Sequence, residues 1–205
     1  LTRLRVEAWH QLARPAQLEP EGNWRTWYVQ GGRGSGKTRT GAETLAGWVL
    51  NNPPGEWAIV APTYGDARDT CVEGPESGLL AVLGGAVAQW NRSIGEVRVA
   101  NGARIHIDGA DDGALRIQGK NLCGGWCDEA GLWREWKRSW HESLGFAVRM
   151  DPGKLIVTGT PKGAIGLPGV LIADPSIPVT RMKMIDNVAN LSEAMVTDLM
   201  ERYEG

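Results

Sequence analysis

No apolar run in this 205-residue sequence reaches the ~20 residues that a membrane-spanning helix needs. The amino terminus, Leu1-Thr2-Arg3-Leu4-Arg5, alternates charge with apolar residues and lacks the apolar core of a secretory signal. Neither sign of charge dominates: the formal net charge is −2, so no global field draws nucleic acid, and any such contact must come from local basic patches. Cysteine is scarce and odd in number. Cys71, Cys123 and Cys127 give no disulfide framework and point to a reducing compartment. As metal ligands, Cys123 and Cys127 would need a second Cys/His pair at ligand spacing; they read better as small buried hydrophobes. Phenylalanine occurs once against ten tryptophans. Composition alone gives no physical reason for that bias, and the rings are expected in the core or on a partner-facing surface. Repeats, low-complexity tracts and domain linkers are not evident. Leu1 replaces an initiator Met, so the chain reads as a piece excised from a longer protein, here a single domain over 1–205.

What is present alternates between two periodicities. Residues 2–13 place Leu4, Val6, Trp9 and Leu12 at roughly helical spacing. Trp27-Tyr28-Val29-Gln30 reads as a short buried strand. Ala42, Leu45, Ala46 and Val49 then mark one apolar helix face, which Asn51-Asn52-Pro53-Pro54-Gly55 ends. A second strand is expected at 57–61. Residues 65–83 look helical with a break at Gly74-Pro75. Residues 96–100 and 103–108 alternate around Asn101-Gly102, a hairpin signal. Further strands are expected at 122–127, 155–157 and 179–184, and helices at 130–148 and 192–203. This order predicts an α/β domain with a mainly parallel sheet, helices on both faces and one inserted hairpin.

Between the first strand and first long helix lies Gly31-Gly32-Arg33-Gly34-Ser35-Gly36-Lys37-Thr38. Gly31, Gly36, Lys37 and Thr38 meet the pattern G-x-x-x-x-G-K-[ST] in its required strand-to-helix context. Glycines allow successive backbone N–H groups to turn toward one anion, and the helix adds its positive end. Lys37 is expected to reach the β- and γ-phosphates of ATP, and Thr38 to hold Mg²⁺. The fold expected is therefore a P-loop NTPase.

Asp128-Glu129 closes the strand at 122–127. A phosphoryl-transfer site needs a carboxylate for Mg²⁺ and a base that orients water, and adjacent acids at a strand end supply both. The alternative is a surface acidic pair opening a helix, where negative charge is favourable in any case. Asp108 is a rival strand-end acid, without the adjacent Glu and on a segment that reads as hairpin rather than buried parallel strand. Thr158-Gly159-Thr160-Pro161 follows a buried strand. Its hydroxyls suit a sensor of the γ-phosphate region, while its Gly and Pro equally suit a simple turn. Arg33 lies inside the glycine loop, and Arg116 precedes the acidic strand; spacing alone leaves Arg116 a surface arginine. Two local basic clusters, Arg134/Lys137/Arg138 and Arg92/Arg98/Arg104, are candidate phosphate contacts, although such faces are commonly just solvated.

Taken in order, these pieces resemble the ATPase domain of a tailed-phage terminase large subunit, a DNA-packaging motor. The resemblance includes Ala13-Arg14-Pro15-Ala16-Gln17, Asn23-Trp24-Arg25-Thr26-Trp27, Lys37-Thr38-Arg39-Thr40-Gly41-Ala42-Glu43 and Ala61-Pro62-Thr63. It continues through Asp66-Ala67-Arg68-Asp69, Leu115-Arg116, Asp128-Glu129-Ala130, Thr158-Gly159-Thr160-Pro161, Asp186-Asn187 and Arg202-Tyr203-Glu204-Gly205. It implies Glu129 as catalytic base, Asp128 as Mg²⁺ partner and Thr158 to Thr160 as the coupling segment. It also implies Arg33 as a γ-phosphate contact in cis, Arg116 as a finger acting on the next subunit, and Gln17 near the adenine, with residues 1–26 on that side. The implied partners are double-stranded DNA, a homo-oligomeric ring on a portal or procapsid and a small terminase subunit, in the cytoplasm of an infected bacterium and without membrane contact. The isolated domain is expected to be monomeric. The nuclease domain that usually follows, and with it cutting activity, is expected to be missing. A helicase-like ATPase and a nucleotide-gated assembly module with little turnover are the alternatives. A helicase should carry a second RecA-like domain, and a non-hydrolysing module has no need of Lys37, Glu129 and Arg116 together.

Overall fold

The segment Trp27–Gln30 lies inside strand β1 (Thr26–Gly31), every residue of which is buried. A strand buried on both faces alternates its side chains between two cores. Trp27 and Val29 join one core and Tyr28 the other. The same alternation recurs in β2 (Glu56–Ala61), where Trp57, Ile59 and Ala61 face the first core and Ala58 and Val60 the second. The computed structural model describes residues 8–161 and 165–197. Within them the remaining strands are β3 (Val87–Asn91), β4 (Glu96–Val99), β5 (Arg104–Gly109), β6 (Leu122–Cys127), β7 (Lys154–Gly159) and β8 (Val179–Met182). All belong to one sheet in the order β3-β4-β5-β2-β6-β7-β1-β8. From β5 through β8 in that order the strands run parallel; β3 and β4 form an antiparallel edge.

Helix α1 (Lys37–Asn51) covers the first core. It ends where Asn52 caps the Trp48 carbonyl through both its backbone and side-chain N–H groups, just before Pro53. The short helix α2 (Tyr64–Asp66) continues into a wide turn, Ala67–Val72, and α3 (Leu79–Leu83) follows the expected break at Gly74-Pro75. The opposite face holds a second wide turn, Arg138–Leu144, which runs into α4 (Gly145–Ala147), and then α5 (Leu167–Ala173).

Several expectations need correction. Residues 130–148 do not form one helix. Trp133 leaves helical geometry after the short turn Ala130–Leu132, because its ring is buried in the second core and its indole N–H donates to the Asp128 carbonyl at 2.9 Å. The Asn101-Gly102 hairpin forms between β4 and β5, but β5 is also an interior parallel strand against β2. The strand expected at 179–184 stops at Met182. Strand β3 and helix α5 were not expected. Of the helix expected at 2–13, residues 8–12 are helical, and of that expected at 192–203, residues 193–197; the rest of each, and the closing Arg202-Tyr203-Glu204-Gly205, lies outside the described residues.

The two glycines of β6 pair fully on both sides. Gly124 and Gly125 face Trp57 and Ala58 of β2, and Lys154 and Leu155 of β7. A side chain on Gly124 would press a Cβ to 2.2 Å from the Lys154 carbonyl, so glycine is what allows the strands to close here.

Candidate active site

All six parallel strands end on the same edge of the sheet, and the expected site residues gather there. Strand β1 releases the glycine loop directly into α1. Gly36 sits at φ 91° as the residue before the helix, a conformation that favours glycine. A Cβ on Gly31 would lie 2.3 Å from Ser35 Oγ, so the loop closes only around a bare backbone. Gly32, Gly34, Ser35, Gly36, Lys37 and Thr38 line a cavity of about 750 Å³.

Strand β7 lies between β1 and β6, and this order sets the spacing between loop and acids. Lys37 Nζ reaches the Gly32 carbonyl at 3.0 Å and Glu129 Oε1 at 3.5 Å. Glu129 in turn accepts from the Thr160 hydroxyl at 3.0 Å and the Thr160 backbone N–H at 3.1 Å. Its backbone is left-handed at φ 45°, one of two such non-glycine residues among those described. That conformation is uncommon for a residue with a side chain and clusters at functional sites.

Asp128 has a different environment. It is buried, and both carboxylate oxygens are engaged: Thr158 donates to Oδ1 at 2.5 Å and the Cys71 thiol to Oδ2 at 3.5 Å. The Thr158 hydroxyl also accepts from the Trp126 indole N–H at 2.8 Å, so its own hydrogen is directed to Asp128. Trp126 lies against Gly41 of α1, where an added Cβ would fall 2.2 Å from the ring. Burial is the main influence on Asp128, raising its pKa to about 6, with Glu129 adding to the rise and the Thr158, Cys71 and Lys37 interactions opposing it. Burial likewise pushes the Cys71 thiol well above its ordinary range.

The remaining expectations separate. Asp108 does not join the cluster. It sits at the end of β5, across β2 from β6, and accepts from the backbone N–H groups of Gly109 and Arg116. Arg33 is exposed on the loop. Arg116 is exposed too, with its guanidinium 4.4 Å from the centre of the Tyr64 ring; among the described residues no hydrogen bond or ion pair ties it to Lys37 or Glu129. The second left-handed residue, Ala114, opens the turn that carries Arg116. Gln17 lines the cavity, yet its amide is largely committed. Oε1 accepts from the backbone N–H and Nε of Arg14, at 3.2 and 3.0 Å, and Nε2 donates to Thr40 at 3.1 Å. Arg14 donates in turn to the Ser35 carbonyl, so Arg14 and Gln17 brace the glycine loop from outside. Sequence reasoning gave no separate role to Arg14, Cys71 or Trp126; each enters through a contact distant in sequence.

The family model for terminase large subunits, T4likevirus-type, N-terminal, matches residues 29–164. The chain belongs to that family. The fold is similar to the large terminase of a thermophilic bacteriophage, solved in complex with ATP-gamma-S. That match has a TM-score of 0.72 at 18% identity and covers 100% of this chain and 49% of that one. The same phage protein in complex with ADP gives 0.73 at 19% identity, covering 100% and 50%. The large terminase ATPase domain of Thermus phage P74-26 gives 0.64 at 17% identity, covering 89% of this chain and 84% of that one. No curated protein matches the chain. This terminase chain thus spans about half the length of the thermophilic phage protein, and its fold is that of an α/β P-loop NTPase. Among the described residues no helix is long and apolar enough to cross a membrane.

Proposed function

We propose that this terminase domain is an ATPase motor that hydrolyses MgATP and drives double-stranded DNA into a procapsid. The observation that carries the reading is the cluster Lys37–Glu129–Thr160 at the mouth of the glycine loop, with Asp128 and Thr158 directly behind it. The residues fit the ligand. Ser35 Oγ is buried without a partner among the described residues, Gly31 admits no side chain, and Thr38 and Asp128 offer the hard oxygens that Mg²⁺ takes.

MgATP, when bound, supplies the phosphoryl group and the cation that offsets its charge. The backbone of Gly31 to Gly36 cradles the phosphates, and Lys37 leaves the Gly32 carbonyl to meet them. Thr38 and Asp128 would hold the cation, Asp128 being fixed from both sides by Thr158 and Cys71. Glu129 is the base that orients water and takes its proton. Thr158 and Thr160 touch the two acids from one strand end, which suits a coupling segment between hydrolysis and movement. Arg33 contacts the γ-phosphate in cis. Arg116, held outward by Tyr64, acts on the neighbouring subunit of a ring seated on the portal. Arg14 and Gln17 brace the glycine loop on the side given to the base. The small terminase subunit and the cytoplasm of an infected bacterium complete the setting.

The test is ATP turnover per chain against protein concentration, for the unmodified chain and for Glu129→Ala. A rate that climbs steeply with concentration, with a flat variant, is expected. Fingers supplied in trans contribute roughly 10³–10⁵ in rate. A constant rate above the variant's would remove the trans role of Arg116, and turnover retained by Glu129→Ala would move the base elsewhere.

A further inference from the structure

The cavity beside the glycine loop has a second wall, from the far end of the chain. Asn187 and Asn190 lie on one short turn, Ile185–Asn190, and both line the cavity with Leu191. Asn187 Nδ2 donates to the Gly34 carbonyl at 2.6 Å. Asn190 Nδ2 donates to Asn187 Oδ1 at 3.0 Å. Leu191 packs over Gly34, its Cδ2 lying 3.2 Å from where a Cβ would stand.

This relay fixes the direction of two amides. A backbone carbonyl only accepts, so Asn187 must turn its NH₂ to Gly34 and its oxygen away. That oxygen also only accepts, so Asn190 must turn its NH₂ to Asn187. Among the described residues Asn190 is left with a free carbonyl oxygen and one free N–H, exposed at the cavity. A donor–acceptor pair of that polarity matches the 6-amino group and adjacent ring nitrogen of adenine, whereas guanine carries an acceptor at the 6-position. Gln17, the other amide at the cavity, has its oxygen taken by Arg14.

We infer that Asn190 reads the 6-amino group of the nucleotide base, and that Asn187 sets its polarity from the loop carbonyl of Gly34. The inference rests on the nucleotide-site reading above. It assigns base selectivity to this turn and leaves Gln17 to brace the loop.

Calorimetric titration of the chain with the β,γ-imido analogues of ATP and GTP, and with inorganic tripolyphosphate, all with Mg²⁺, separates the two. The adenine analogue should bind about tenfold more tightly than the guanine one. Asn190→Ala should lower adenine affinity alone and erase the preference. Asn187→Leu frees the Asn190 amide to turn over, and should erase the preference by raising guanine affinity instead. Tripolyphosphate should bind the unmodified chain and Asn190→Ala equally. A preference that survives both variants, or is absent at the outset while tripolyphosphate binds, overturns the base assignment and leaves the phosphate loop standing. An Asn190→Ala loss shared equally by all three ligands also overturns it. Tripolyphosphate that fails to bind the unmodified chain overturns both readings.

Discussion

The two ends of the parallel sheet are built from opposite materials. At the end where the strands begin, Trp24, Trp27, Trp48 and Trp57 pack ring to ring, with centroids 6.2 to 6.4 Å apart. Helix α1 runs back to that end and delivers Trp48. At the end where the strands finish, Lys37, Asp128, Glu129, Thr158 and Thr160 converge, and Asp128 is buried as a carboxylate. Aromatic burial stabilises a fold in proportion to the apolar area removed from water, whereas burying a charge opposes folding unless it is paired. One end therefore stabilises the sheet, and the other draws on that stability to hold a site in a form water would not favour. The tryptophan excess that composition left unexplained has its largest cluster at the stabilising end.

The largest effect is expected at Trp57. Its ring is fully buried between β2 and the Trp48 ring. Trp57→Ala should cost about 3–5 kcal/mol in urea-induced unfolding. Nucleotide affinity, measured in the folded fraction, should be unchanged. A small loss of stability would mean that the stack is not what anchors that end. A lost affinity in folded protein would mean that the two ends are not separable.

A change at Asp128 should act in the other direction. Its pKa is raised from 3.8 to about 6, so the fold favours the neutral acid. The associated stability is complete below about pH 4 and is lost as the pH rises through 6. Asn mimics the neutral acid. Without divalent cation, Asp128→Asn should therefore be more stable than the unmodified chain by about 1–3 kcal/mol at pH 8, with the gap closing near pH 4. Thermal unfolding at the two pH values measures it. A variant less stable at pH 8 would show that the hydrogen bonds from Thr158 and Cys71 outweigh the burial of charge.

The two ends also differed in how far the sequence disclosed them. The glycine loop was legible because its chemistry is local: consecutive backbone groups and the next two side chains make the cradle. Asp128-Glu129 was legible as a pair of acids closing a strand, although that strand's glycines obscured its pairing. The bracing of the site was not legible, since Cys71 and Arg14 reach it from other segments and Trp126 acts through Thr158 on a different strand. The break in the 130–148 helix was hidden for a different reason: the bond from the Trp133 indole to the Asp128 carbonyl is local, but a backbone acceptor leaves no mark on side-chain periodicity. Edge strand β3, only partly buried, carries no two-faced apolar alternation to announce it. At the other end, the number of tryptophans was plain while their mutual contact was not.

The smallest effect is expected at Lys154. It begins β7 at the tryptophan end, with Nζ 4.0 Å from the centre of the Trp24 ring and 3.3 Å from Glu19 Oε2. Glu19 also accepts from the Trp48 indole at 2.8 Å, so this ion pair rims the ring stack. Both charged groups keep water on one side, which screens their attraction; exposed cation–ring and ion pairs are each worth only ~0.5–1 kcal/mol. Lys154→Gln should therefore lower stability by no more than about 1 kcal/mol, and added salt should shrink the difference. ATP turnover should not change, because among the described residues no hydrogen bond or ion pair joins Lys154 or Glu19 to Lys37 or Glu129. A turnover change at constant stability would show that the rim of the stack communicates with the site through β7, the strand that ends in Thr158 and Gly159.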